Sequence, residues 1–194
     1  LVVAKMALLR SVYTEKQTRD FIRELERVPE VLQEVLKKRR DIHVIAKKIL
    51  EAKDLFMIGR GLDYSILLEG SLKLKEVSYI HSEAYASGEL KHGPIALITE
   101  NTPVVAAVTQ ERLKSKELSN IKEVKSRGAD IVLFIKKALT EDLDREYQVI
   151  ELPDMEDAFM VLPASVALQL LAYYVSSDKG FDVDKPRNLA KVVT

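Results

Sequence analysis

"DLFMIGRGLDYS", residues 54–65, decides how the rest of the chain is read. Five residues of strand-forming type are followed by two glycines around an arginine, and a helical pattern begins at once. A strand that turns directly into a helix opens a βαβ unit, whose next strand runs parallel to the first. Similar runs return as "TPVVAAV" (102–108), "DIVLFI" (130–135) and "YQVIEL" (147–152), giving four strands, while "SEAYA" (82–86) is merely strand-like. Helical stretches at 64–80, 114–127 and 158–179 alternate with them, the last two closed by Gly128 and Gly180. Strands that are apolar nearly throughout are buried on both faces, so the expected class is α/β, with a doubly wound parallel sheet between two helical layers.

Upstream of Lys53 the pattern is different. Phe21, Ile22, Leu25, Val28, Leu32, Val35 and Leu36 recur at three- and four-residue steps, which predicts an N-terminal helical segment over residues 1–53. Pro29 is expected to open a new helix at its first turn. "LVVAKMALLR" (1–10) reads as the last turns of a helix that begins upstream, because Lys5 interrupts the apolar run and no cleavage pattern follows. "KKRR" (37–40) reads as a solvated helix end, with no aromatic residues interleaved as a nucleic-acid patch would have. The organisation expected is therefore helices over 1–53, an α/β domain over 54–183 and a tail over 184–194.

Composition limits the function classes. In 194 residues, 30 basic and 30 acidic side chains cancel, so no overall field gathers nucleic acid or an anionic membrane. The hydrophobic share of 47% fills one ordinary core. With zero cysteines the chain has no disulfide, thiolate nucleophile or cysteine metal site, which suits a reducing, cytoplasmic compartment. No run of 18 apolar residues occurs, so no membrane span is expected.

Ligands of doubly wound sheets collect beyond the carboxyl ends of the strands, and "GRG" (59–61) is the first such exit. The dinucleotide fingerprint needs a further glycine at the position held by Tyr64, so no nicotinamide or flavin cofactor is expected. The turn is then either a sugar-phosphate loop or a plain tight turn. On the next helix, Ile66, Leu67, Gly70, Leu74 and Val77 share one side, while Glu69, Lys73 and Glu76 share an arc beside it. That trio is either a surface ion-pair ladder or a carboxylate, with lysine beside it, at the mouth of a cleft. "GELKHGP" (88–94) sets His92 on a short charged turn. His43 is expected to be a partly exposed side chain and His81 a packing or capping residue. Three separated histidines without cysteines give no ligand spacing, and no metal is expected.

"LEGSLKLKEVSYIHSEAYASGELKHGP", followed about a hundred residues later by "DVDKPRNLAKVVT", resembles the isomerase part of the glucosamine-6-phosphate synthase family, along the whole chain. The resemblance implies a sugar-isomerase (SIS-type, flavodoxin-like) fold and places this chain as the second of two such subdomains plus the tail. A first subdomain carrying the phosphate-binding serines and threonines, and a glutaminase domain, would precede it. It implies chemistry on fructose 6-phosphate, giving glucosamine 6-phosphate with ammonia drawn from glutamine.

By position, the resemblance makes Glu76 the carboxylate that moves a proton between the first two sugar carbons, with Lys73 as its charge partner. His92 would assist ring opening in the site of the neighbouring subunit of a homodimer. Lys191 would form an imine with the open-chain ketose, and Ala190, Lys191 and Glu76 would contact substrate. Two other functions compete with this one: a non-catalytic sugar-phosphate-binding regulatory module, and a stand-alone phosphosugar isomerase. The former has no need of Glu76 or Lys191, and the latter no use for an imine-forming lysine in a tail.

Overall fold

The computed structural model describes residues 1–141 and 143–189. Its strands β1 (Asp54–Gly59), β2 (His81–Ala86), β3 (Pro103–Val108), β4 (Asp130–Lys136) and β5 (Gln148–Leu152) form one parallel sheet in the order β2-β1-β3-β4-β5. The chain leaves β1 toward one edge and, after β2, crosses to the other side of β1. The point of reversal therefore lies between β1 and β3. Alternate residues of the strands bury on opposite faces. Leu55, Met57, Val105, Ala107, Val132 and Phe134 meet α2 (Glu15–Lys37), α3 (Arg39–Lys48), α4 (Leu62–Ser78) and α6 (Val161–Asp178). Phe56, Ile58, Val104, Ala106, Leu133 and Ile135 meet α5 (Lys114–Lys125) and the chain between β2 and β3, through Ile121, Val124, Leu90 and Ile98. The expected doubly wound α/β class with helical N-terminal residues is present.

β2 is a fifth strand, where composition alone had marked 82–86 as merely strand-like. Its register with β1 runs from Asp54↔His81 to Gly59↔Ala86. As an edge strand it pairs on one side only, so it needs no continuous apolar run. Ser82 anchors it instead. The Ser71 hydroxyl of α4 donates to the Ser82 carbonyl at 2.8 Å, and the Ser82 hydroxyl returns a bond to the Ser71 carbonyl at 2.9 Å.

Pro29 does not open a helix but sits inside α2. An interior proline costs about 3 kcal/mol. Burial of Val31 and Val35, with Phe21, Leu25 and Val28 packed beside them, offsets this, since each buried aliphatic side chain contributes about 1.5–3 kcal/mol. The start of α2 is fixed by a capping box, Gln17 N donating to Thr14 Oγ1 at 3.2 Å and Thr14 N to Gln17 Oε1 at 2.9 Å. The break between helices falls at Lys38, within "KKRR". α1 (Val2–Leu9) packs against α2.

Asp157–Asp178 is long and apolar enough to cross a membrane by length and composition, a test that the core helix of a globular domain also passes. In this fold the same residues supply the core helix α6, which lies against α4, α3 and α2.

Candidate active site

Helix α4 carries the carboxylates singled out above. Ile66, Leu67, Gly70 and Leu74 turn into the core, which leaves Lys73 and Glu76 at the helix edge with side chains 34% and 26% exposed. Lys73 Nζ lies 2.6 Å from Glu76 Oε2 and 3.7 Å from Glu69 Oε1. The lysine therefore belongs chiefly to Glu76, one turn on, rather than to the i, i+4 ladder with Glu69. The hydrogen bond from Lys73 to Glu76 raises the lysine above its ordinary pKa range, and the charges of Glu76 and Glu69 act in the same direction. The pair thus presents a carboxylate oriented by a fixed cation and still open to solvent. Such a group can exchange protons with a carbon acid placed against it.

The end of α4 is stitched down beside that pair. Ser78 Oγ donates to the Leu74 carbonyl and Ser176 Oγ, from α6, to the Val77 carbonyl, each at 2.7 Å. Tyr79 closes the helix in the left-handed conformation, φ 60°. It also receives the tail. Arg187 N donates to Tyr79 Oη at 2.8 Å, the Arg187 guanidinium carbon sits 4.0 Å from the Tyr79 ring centroid, and the Phe181 ring packs at 4.9 Å. The exposed tail, read from sequence as a separate segment, is brought to the Glu76 end of α4. Ala190 and Lys191 lie outside the described residues.

His92 is not brought to Glu76 within this chain. It belongs to a turn, Leu90–His92, whose Leu90 is buried on the α5 face of the sheet, whereas α4 covers the opposite face. Its side chain is 64% exposed, and Glu89 Oε2 is 4.0 Å away. The two groups differ in height as well. α4 links the carboxyl end of β1 to the amino end of β2, so Glu76 stands near the amino ends of the strands, away from the edge where doubly wound sheets usually bind ligands.

The other histidines are surface groups. His81 is not a packing or cap residue: it pairs across the sheet edge, Nδ1 lying 2.7 Å from Asp54 Oδ1. Strand pairing puts these two side by side, and both are exposed. His43 is partly exposed as expected, stacked on Tyr174 at 4.4 Å and 2.9 Å from Asp178 Oδ2. Among the described residues no group of three or more His, Asp and Glu is arranged to hold a metal ion.

Sequence reasoning missed a buried polar cluster at the reversal point between β1 and β3. Asp63, in the first turn of α4, accepts from Thr109 N at 3.0 Å and from the Thr109 hydroxyl. Gln110 Nε2 donates to the Arg60 carbonyl at 2.8 Å, and Arg60 Nε and Nη2 donate to Asn120 Oδ1 at 3.1 and 2.9 Å. Glu117, 1% exposed, accepts from the Ser87 hydroxyl at 2.6 Å and stands 3.8 Å from Arg60 Nε. Burial raises both carboxyl groups, Glu117 to about 7, with the hydrogen bonds from Ser87 and Thr109 acting against it. The Asp63 carboxylate takes the Thr109 amide just beyond β3, which is then not free to hold an anion. Of the two readings of "GRG", the geometry favours the tight turn. A signal for the cluster was present: Glu117 stands in the buried register of α5 with Ile121 and Val124.

A cleft of about 450 Å³ opens at the amino ends of β1–β3, lined by Asp54, Phe56, His81, Glu83, Leu97 and Thr102 among others. It contains none of the paired groups on α4.

Comparison with known proteins bears on the fold and the family. Over 194 residues the chain is 47% identical to glutamine–fructose-6-phosphate aminotransferase (isomerizing) of Caldanaerobacter subterraneus subsp. tengcongensis, covering 100% of this chain and 32% of that one. The enzyme of the same name from Clostridium perfringens is 50% identical over 169 residues, 86% of this chain and 28% of that one. The chain thus spans about a third of the length of these curated relatives. The C-terminal domain of glucosamine-fructose-6-phosphate aminotransferase from Francisella tularensis superposes with a TM-score of 0.90 at 40% identity, over 94% of this chain and 51% of that chain. Tagatose-6-phosphate ketose/aldose isomerase from Escherichia coli shares the fold alone, with a TM-score of 0.67 at 19% identity over 79% of this chain and 43% of that chain. The SIS domain model matches residues 48–176, from the end of α3 almost to the end of α6, and the chain belongs to the SIS domain family.

Proposed function

We propose that this chain is the isomerase-bearing part of a longer enzyme that converts fructose 6-phosphate and glutamine-derived ammonia to glucosamine 6-phosphate. The observation that carries the reading is the Lys73–Glu76 pair, 2.6 Å apart, on the helix end to which the tail is tied through Tyr79 and Arg187. Arg187 precedes Lys191 by four residues, a reach of at most about 14 Å in extended chain. In this scheme the neutral Lys191 amine attacks the C2 carbonyl of the open-chain ketose and water leaves, forming an imine. Ammonia adds to this imine carbon and the Lys191 amine leaves, so that C2 now carries an imine of ammonia. Glu76 then takes a proton from C1 and returns it to C2, while Lys73 holds the carboxylate in place, leaving an amino group at C2 and an aldehyde at C1.

His92 acts on the ring oxygen in the site of a second copy. Its position on the sheet face opposite α4 supports a shared site, because one chain does not assemble both groups. The self-filled cluster at Asp63 and Thr109 supports placing the phosphate-holding serines and threonines outside this chain, in a first sugar-isomerase subdomain. The tail, 184–194, functions as an active-site segment of its own, and the absence of cysteine suits a cytoplasmic setting. The test is glucosamine 6-phosphate formation by the full-length enzyme and its Glu76→Gln variant. The reading requires a loss of roughly 10²–10⁴-fold at unchanged fold, as for removal of a general base. Formation at the wild-type rate contradicts it.

A further inference from the structure

We infer that Tyr79 is a positioning residue, a latch that fixes the start of the tail against the helix end carrying Glu76; its role in turnover rests on the function proposed above. Three contacts converge on this one side chain. Its hydroxyl accepts the Arg187 amide at 2.8 Å, its ring faces the Arg187 guanidinium at 4.0 Å, and its ring centroid lies 4.9 Å from that of Phe181, the two planes tilted by 59°. The backbone adds a fourth observation. Tyr79 has φ 60°, a helix-closing conformation normally left to glycine or asparagine and unfavourable for a side chain of this size. The side-chain contacts of Tyr79 offset the cost of that conformation. Left-handed closure turns the chain sharply after Ser78, which sets the ring at the end of α4 where the exposed tail returns from α6.

Arg187 is otherwise a solvent-exposed residue of a segment without apolar periodicity, the kind that frays at chain ends. The latch replaces core packing as the means of holding it. One neutral acceptor and one cation–π face are individually weak, so the tail is held reversibly. A tail that bears an imine-forming lysine needs both a fixed starting point and release after each turnover.

The test compares Tyr79→Phe, which removes only the acceptor, with Tyr79→Ala, which also removes the ring, in the full-length enzyme. Lys185 precedes Pro186 and resists trypsin, so the tail is cut after Arg187 and after Lys191, and the cut after Arg187, identified by peptide mass, reports directly on the latch. Cleavage there is expected to accelerate roughly 2–10-fold in Tyr79→Phe and further in Tyr79→Ala, with little change in melting temperature. Borohydride trapping of fructose 6-phosphate on Lys191 and kcat are expected to fall in the same order, while KM stays near wild type because the phosphate is held elsewhere. Equal cleavage in all three proteins overturns the latch. Faster cleavage with unchanged trapping and kcat overturns its positioning role. Absence of trapping in the wild-type enzyme would overturn the role of Lys191 itself, and the latch then stands or falls on the cleavage order.

Discussion

Lys73 Nζ lies 2.6 Å from Glu76 Oε2, one helical turn apart on α4, and both side chains keep about a third or less of their surface in water. Replacing Lys73 by Met should leave stability within about 1 kcal/mol of wild type, since partly exposed ion pairs contribute little. Turnover should nevertheless fall roughly 10–100-fold, the worth of a charge-assisted hydrogen bond to the reacting carboxylate. Urea unfolding and steady-state kinetics on the same preparation separate the two effects. A Lys73→Met enzyme of wild-type kcat would show that the pair is a surface ladder.

Glu117 makes stability depend on pH. Its folded pKa, about 7, exceeds the ordinary 4.5, so the folded state holds the proton more tightly and ionisation favours unfolding. The group's effect is absent well below 4.5, grows as pH rises through about 7, and is constant above, reaching on the order of 3 kcal/mol. Glu117→Gln, which keeps an oxygen for Ser87, should therefore match wild type near pH 4.5 and exceed it increasingly toward pH 8. Urea midpoints across that range check this. A difference that stays flat with pH would contradict the buried, unneutralised carboxyl group.

Two glycines of the β1–α4 unit should behave differently. A Cβ on Gly59 would stand 2.8 Å from the Asp63 carbonyl carbon and 2.9 Å from Tyr64 N, backbone atoms that move only with the first turn of α4. Gly59→Ala should cost about 1–3 kcal/mol or more. On Gly70 the Cβ would meet Leu168 Cδ1 at 2.8 Å, the tip of a flexible side chain, and alanine also favours helix by about 1 kcal/mol. Gly70→Ala should cost less than Gly59→Ala in denaturant melts; the reverse order would contradict the strand-to-helix packing described.

A shared site predicts complementation. His92→Ala and Glu76→Gln enzymes should each be inactive, and their mixture, after subunit exchange, should recover part of the activity, because one hybrid site then holds an intact copy of both groups. Activity that stays absent once exchange has been demonstrated by mass would place His92 outside the site.

How much could be read from the sequence follows from what each element is made of. β1, β3 and β4 are legible because central parallel strands are apolar on both faces, as in Val104–Val105–Ala106, and β5, though an edge strand, is legible through Val149, Ile150 and Leu152. β2 is half-hidden because an edge strand can be polar, from His81 to Glu83, and is anchored by Ser71 and Ser82 rather than by apolar area. Pro29 misleads because tertiary burial of α2 outweighs a local propensity. Glu76, Lys73 and His92 were found through a resemblance, and helical geometry alone left ladder and site equally open. Glu117 and Asp63 escaped notice because each gains meaning only from a partner distant in sequence, Ser87 and Thr109. The tie between Tyr79 and Arg187 spans 108 positions and has no local pattern at all.

The central claim is that Lys191 activates the ketose as an imine at C2 and that Glu76 moves the C1 proton of the imine so formed. The most direct measurement runs the full-length enzyme and its Glu76→Gln variant with fructose 6-phosphate in D₂O, following deuterium at C1 and, in parallel, borohydride trapping on lysine. The wild type should incorporate deuterium and be labelled on Lys191, and Glu76→Gln should still be labelled on Lys191 while exchange falls roughly 10²–10⁴-fold. Undiminished exchange in Glu76→Gln, or labelling confined to a different lysine, would contradict it.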